Sequence, residues 1–155
     1  MTGLTSGAAT AIVTTAEIER NAADVFAYAT DPTRFSEWQQ GVVSGRLEGP
    51  PKVGTHCLTT RRIGGAERAS TSVLAHLEAP TSWSVRGIGG PIRARVDVTV
   101  EPLSETRSRL TIVVDFEGHG IGRLLVPMLV RPQARKEMPG NLLALTENLE
   151  SASVG

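Results

Sequence analysis

The chain has 155 residues, sixteen basic against sixteen acidic, with 40% hydrophobic and 21% charged side chains. At about 100–200 residues per domain this is one domain, large enough to bury a core without a disulfide or metal staple. The balanced charge excludes the global basic field of a dedicated nucleic-acid binder, and the composition excludes a disordered, collagenous or disulfide-stapled chain.

One cysteine, Cys57, can form neither an internal disulfide nor a cysteine-based zinc site. The three histidines, His56, His76 and His119, show no short metal spacing, so no metal is expected. No Walker or dinucleotide fingerprint is present, and no cofactor is expected. There is no apolar run of about 18 residues, which argues against stable membrane insertion. The first residues lack the charged and apolar regions of a signal peptide, and a cytoplasmic location is expected. Residues 1–11 read as a flexible N-terminal segment, 12–150 as the folded domain and 151–155 as a flexible tail.

Ile12 to Glu19 is β-branched at its start and alternates, which predicts a strand. Asn21 is placed to cap a short helix with Asp24 as its capping-box partner, presenting Val25, Phe26 and Ala29 to a core. Asp31-Pro32 opens a second short helix ending near Trp38, since Asp is a favoured N-cap and Pro is tolerated at the first helical position. Six more strands follow at Val42–Leu47, Thr55–Arg62, Arg68–Leu77, Ser82–Ile88, Ile92–Glu101 and Arg109–Glu117. Their breaks are Gly- and Pro-rich and short, favouring antiparallel hairpins over βαβ units. Ile92, Ala94, Val96, Val98 and Val100 alternate with polar neighbours, as do Leu110, Ile112, Val114 and Phe116, the pattern of a sheet with one covered face. From Ile121 to Leu149 the period becomes helical, with Leu125, Met128, Met138, Leu142, Leu145 and Leu149 near one stripe. At about 1.5 Å per residue such a helix is about 43 Å long and crosses the sheet. Pro127, Pro132 and Pro139 are expected to start, kink or interrupt it. The result is an α+β fold: a seven-stranded antiparallel sheet, two short helices after its first strand, and one long terminal helix.

Several pieces in this order resemble the START-like (SRPBCC) superfamily, and within it the bacterial polyketide cyclase/dehydrase and lipid-transport branch. They are Asp24-Val25-Phe26 through Asp31-Pro32 to Trp38, Val53-Gly54-Thr55, Leu77-Glu78-Ala79-Pro80, Gly90-Pro91-Ile92, and Leu124-Leu125-Val126-Pro127 leading to Arg135-Lys136-Glu137. The resemblance spans about residues 12–150. It implies a helix-grip fold, a curved sheet wrapped around the C-terminal helix with an internal cavity between them. It supplies no catalytic signature, because members range from aromatase/cyclases to hormone binders and lipid carriers with different linings.

Candidate chemistry is therefore weighed residue by residue. His56 and Cys57 are neighbours on a strand and point to opposite faces, so they cannot form a thiolate–imidazolium pair. Gly87-Ile88-Gly89-Gly90 lies between two strands and reads as a hairpin turn, not a phosphate loop. Trp38 falls at the cavity rim in this fold class, and Trp83 shares a strand phase with Val85; each is a core anchor or a ligand contact. Arg61 shares a face with Cys57 and Thr59. It either places a charge in the cavity, able to pair with an acid or enolate, or lies in solvent if the phase is opposite. Arg135 has the same two readings, and Met128 and Met138 are cavity liners or ordinary core. The other titratable candidates for a cavity are His76 and Arg95. The leading expectation is a binder of a small hydrophobic ligand (lipid-like, polyketide or aromatic), as a monomer or homodimer without nucleic-acid partners. The alternatives are a polyketide cyclase or dehydratase using the same cavity, acting largely by positioning, and a protein-interaction module with no ligand.

Overall fold

A computed structural model of the chain describes residues 10–152. Most of the N-terminal segment and the end of the tail therefore lie outside the described residues. Thr10 donates through Oγ1 to Asp115 Oδ2 at 2.8 Å, and the last helix runs on through Ser151 to Ala152, past the expected start of the tail.

The strands are β1 (Ile12–Ile18), β2 (Val42–Leu47), β3 (His56–Ile63), β4 (Ala66–Glu78), β5 (Ser82–Gly89), β6 (Ile92–Ser104) and β7 (Arg107–Gly118). They form one antiparallel sheet in the order β1-β7-β6-β5-β4-β3-β2, so every connection except that from β1 to β2 joins neighbours. The sheet curves into a half-barrel around the terminal helix. Register shifts at Val42/Ser44, Thr71/Ser72, Leu74/His76 and Pro102/Ser104 supply bends, since a bulge raises local twist and coils a strand. Gly64 and Gly65 both take positive φ, 62° and 79°, as a two-residue turn matched to strand twist requires.

The two short helices are α1 (Ala22–Ala29) and a 3₁₀ helix (Pro32–Glu37). Asn21 accepts from the Asp24 N–H at 2.9 Å and Asp31 from the Thr33 N–H at 3.0 Å, so both expected caps form. Tyr28 donates to Glu37 Oε1 at 3.0 Å and accepts from Asn148 at 3.0 Å, which ties both short helices to the long one.

That long helix is continuous from α2 (Gly122–Leu125) through a π-helical turn (Val126–Val130) into α3 (Arg131–Ala152). Gly122 sits so close to the start of β6 that an added Cβ would lie 1.7 Å from the Pro91 carbonyl oxygen. The π turn corrects the expected apolar stripe. Pro132 cannot donate and its ring crowds the carbonyl four residues back, and the helix before it widens: the Arg131 N–H reaches Val126 O, five residues away. One inserted residue turns the face, so Val126 and Val130 are buried while Met128 is 74% exposed. Pro139, expected to interrupt the helix, lies inside α3 without ending it. It is on the exposed side, where the carbonyl it leaves without a donor meets water.

The main core unites Ile18, Val25, Val98, Val100, Leu110 and Ile112 with Leu142, Leu145 and Leu149 of α3. A smaller cluster, Ile63, Ile92, Val126 and Val130, closes the other end. Among the described residues no helix is long and apolar enough to cross a membrane.

Candidate functional site

Between these two clusters the sheet and α3 stand apart. The space between them amounts to about 1040 Å³, open solvent at its mouth included. Strand alternation decides its lining. From β3 the odd positions Cys57, Thr59 and Arg61 point inward, and from β4 their neighbours across the register Ser72 and Ser70 do the same. β5 contributes Trp83 and Val85, β6 Ala94, Val96 and Val98, and β7 Ile112, Val114 and Phe116. Helix α3 roofs the space with Ala134, Glu137, Met138, Asn141 and Leu142, and Phe35 and Trp38 stand at the end of the 3₁₀ helix. One wall is therefore apolar, from β5 to β7, and the other carries hydroxyls, a thiol and a guanidinium, from β3 and β4.

Arg61 donates from Nη1 to Gln39 Oε1 at 3.1 Å. Among the described residues it forms no ion pair. Desolvation pulls its pKa below the ordinary guanidinium value, partly offset by attraction from Cys57 and Glu137. The same burial pushes the Cys57 thiol up, and its contact with Thr59 at 3.9 Å is too weak to offset that. A protonated thiol without a base is no nucleophile. Phe35 links the two indoles edge-on, 5.9 Å from Trp38 and 6.4 Å from Trp83. The Trp38 N–H and the Thr14 hydroxyl, both on residues lining the cavity, are buried with no hydrogen-bond partner among the described residues. An orphaned buried donor is costly and marks where an acceptor from outside the chain fits.

Of the residues singled out in the sequence, Trp38, Cys57, Thr59, Arg61, Trp83, Val85 and Met138 line this cavity. Two do not. Met128 is turned outward by the π turn, and Arg135 falls on the exposed side of α3, one residue past the inward Ala134. His76 lies on the outer face, 2.7 Å from Ser82 Oγ, and Arg95 is exposed beside Asp97, so neither enters the cavity. Glu137, Asn141 and Gln39 also line it, and the sequence reading misses all three. Ala134, Glu137, Met138, Asn141 and Leu142 follow the 3-1-3-1 spacing of one helical face, so extending the Met138–Leu142 stripe backward finds the first two. Gln39 follows the 3₁₀ helix and carries no periodic signal. Among the described residues no group of three or more His, Cys, Asp or Glu side chains is placed to hold a metal.

The architecture is shared widely. The chain is similar to a protein of Thermus thermophilus, with a TM-score of 0.74 and 16% identity over 92% of this chain and 99% of that one. It is similar to a START superfamily protein from Mycobacterium smegmatis, with a TM-score of 0.66 and 13% identity over 92% and 95% of the two chains. A third is the Zhui aromatase/cyclase of Streptomyces sp. R1128, with a TM-score of 0.65 and 14% identity over 92% of each chain. No curated protein matches. The family model described as polyketide cyclase / dehydrase and lipid transport matches residues 9–150. With nearly the whole domain inside that match, and the sheet, helix and cavity arranged as above, the chain belongs to the polyketide cyclase/dehydrase and lipid-transport family.

Proposed function

We propose that the protein binds a small, largely apolar ligand in the cavity between the sheet and α3, oriented at its polar end by Arg61. The observation that carries this reading is the asymmetry of the lining. A continuous apolar wall faces a patch where Arg61 has one neutral partner, Gln39, and no carboxylate within ion-pair distance among the described residues. Ligand sites combine apolar walls with few placed polar groups in this way. The test is a titration with Nile red, a neutral dye that brightens in apolar surroundings, followed also by quenching of Trp38 and Trp83. One-to-one saturable binding is expected. Absence of binding, with no apolar species carried through native mass spectrometry, would overturn the reading.

A second reading is catalysis of ring closure or dehydration on a held polyketide. It is favoured by the family's description and by a buried cation on the cavity wall, able to stabilise an enolate oxygen. Arg61→Ala separates the two. In a binder, affinity for acidic ligands falls by about 1.5–3 kcal/mol, the contribution of a charge-assisted hydrogen bond. In a cyclase, binding of a polyketide mimic holds while turnover slows, because an oxyanion-stabilising group acts chiefly in the transition state.

A further inference from the structure

Beside this cavity lies a second chamber of about 660 Å³ including its mouth, and Arg61, Phe116 and Glu137 line both. On its wall stands Arg68, the cross-strand partner of Arg61 in the β3–β4 register. Two arginines therefore occupy directly opposed positions on adjacent strands and line the same chamber, and like charges at opposed positions destabilise a sheet. Arg62, on the opposite phase, pairs with Glu67 at 3.1 Å. Arg68 has no ion pair among the described residues, and its Nε is buried without a hydrogen-bond partner there. Glu137, roofing the same seam, is held by Gln133 at 3.2 Å. Two cations against one carboxylate leave a single positive charge.

We infer that the seam between the chambers is a monoanion subsite, and that the ligand is an amphipathic carboxylic acid whose carboxylate seats between Arg61 and Arg68 while its apolar body lies along the β5–β7 wall. This rests on the binding reading above and narrows it to a substrate class. A planar carboxylate suits two guanidinium forks, and a monoanion balances the residual charge where a dianionic phosphate would exceed it.

The experiment displaces Nile red from the full chain with dodecanoate and with dodecanol, equal in chain length and differing in charge. Dodecanoate is expected to displace at a concentration about tenfold or more lower, the discrimination of one charge-assisted hydrogen bond. Arg68→Gln should reduce that preference to about threefold or less, read as the ratio of the acid and alcohol displacement midpoints so that any change in Nile red affinity cancels. Glu137→Gln should act with the opposite sign and strengthen dodecanoate, because it removes the competing carboxylate. That variant keeps the inference testable if Arg68→Gln fails to fold. Nile red binding with equal displacement by acid and alcohol, or a dodecanoate preference unmoved by Arg68→Gln, overturns the subsite and leaves the binding reading standing. No binding of dye, acid or alcohol overturns both.

Discussion

At its C-terminal end α3 drives Leu142, Leu145 and Leu149 into one cluster with Ile18, Val100 and Leu110, and Leu145 is left with no exposure at all. Toward its start the same helix presents Ala134, Glu137 and Asn141 to the same sheet, and the space between them stays open. The difference is one of side-chain volume and polarity. Where large aliphatic groups project from both layers the layers close to interior density. Where the helix offers a methyl group or an amide, and the sheet answers with Ala94, Gly87 and short hydroxyls, there is too little volume to fill the gap. The smaller cluster around Val126, Val130, Ile63 and Ile92 holds the far end of the helix off the sheet, so the opening has a support on each side.

The sharpest way to break the comparison is to empty the closed end. Leu145→Ala should cost about 2–5 kcal/mol in denaturant unfolding, since the deleted methyl groups leave a void that packed neighbours cannot fill. A loss under about 1 kcal/mol would mean that this end is loosely packed too. Adding volume tests both ends at once. Val100→Phe, in the closed cluster, should destabilise by about 1–3 kcal/mol, the usual result of overpacking. Val96→Phe, on the same strand face but on the cavity wall, should change stability little and weaken Nile red binding instead. Equal losses of stability from the two would show that the opening cannot accept a ring.

This contrast also separates what is legible in the sequence from what is not. Ile92 to Val100 and Leu110 to Phe116 alternate strictly, and a period of two tells unambiguously which side chains share a face. The succession of antiparallel strands, the shared face of Arg61, Cys57 and Thr59, and both helix caps follow from such local rules, whereas whether that face turns inward does not. The terminal helix is legible in extent but not in phase. A stripe spaced at 3.6 residues per turn takes no account of a π turn, and the single one before Pro132 displaces everything upstream by one position, so Met128 and Val126 exchange roles. A proline marks where a helix is disturbed without saying whether it kinks, widens or passes through, as Pro139 does. Arg68 and Glu137 escape for another reason. A charged residue at an inward position looks like a solvated one until its cross-strand or cross-layer partner is known.

A smaller effect tests how the open end is tied to the chain's first residues. Arg131, at the start of α3, donates to Asp115 Oδ1 at 2.9 Å and to the Phe116 carbonyl at 2.7 Å. Burial opposes ionisation of Asp115, but hydrogen bonds from Arg131, Thr10 and the Phe116 N–H more than offset it and hold the carboxyl below the usual range. A carboxyl with a folded pKa below its unfolded value, about 3.9, adds stability that is complete above that value and lost as pH falls through the folded one. Asp115→Asn should therefore lower stability by about 1 kcal/mol at pH 7, as expected for a partly exposed pair, and the difference from the wild type should fade below about pH 4. A difference that persists at lower pH would assign the loss to packing rather than charge.

The smallest expected effect is at Met128. Met128 lies on the outward side of the π turn, and with Ile121 at 62% and Leu124 at 65% exposure it is part of an apolar surface at the start of the long helix. A side chain that is already three-quarters in water gives up little when it is shortened, so Met128→Ser should stay within about 0.5 kcal/mol of the wild type. Val126→Ser, two residues earlier and buried in the smaller cluster, should cost several times more, because it buries a hydroxyl with no partner assured and removes a packed branch. The pair reads the π turn directly. In an uninterrupted α-helix continuing the Met138–Leu149 stripe, Met128 would face the sheet and Val126 would not, and the two losses would be reversed. Chemical denaturation of the two variants at low protein concentration checks the order, and a larger loss at Met128 would restore the regular helix.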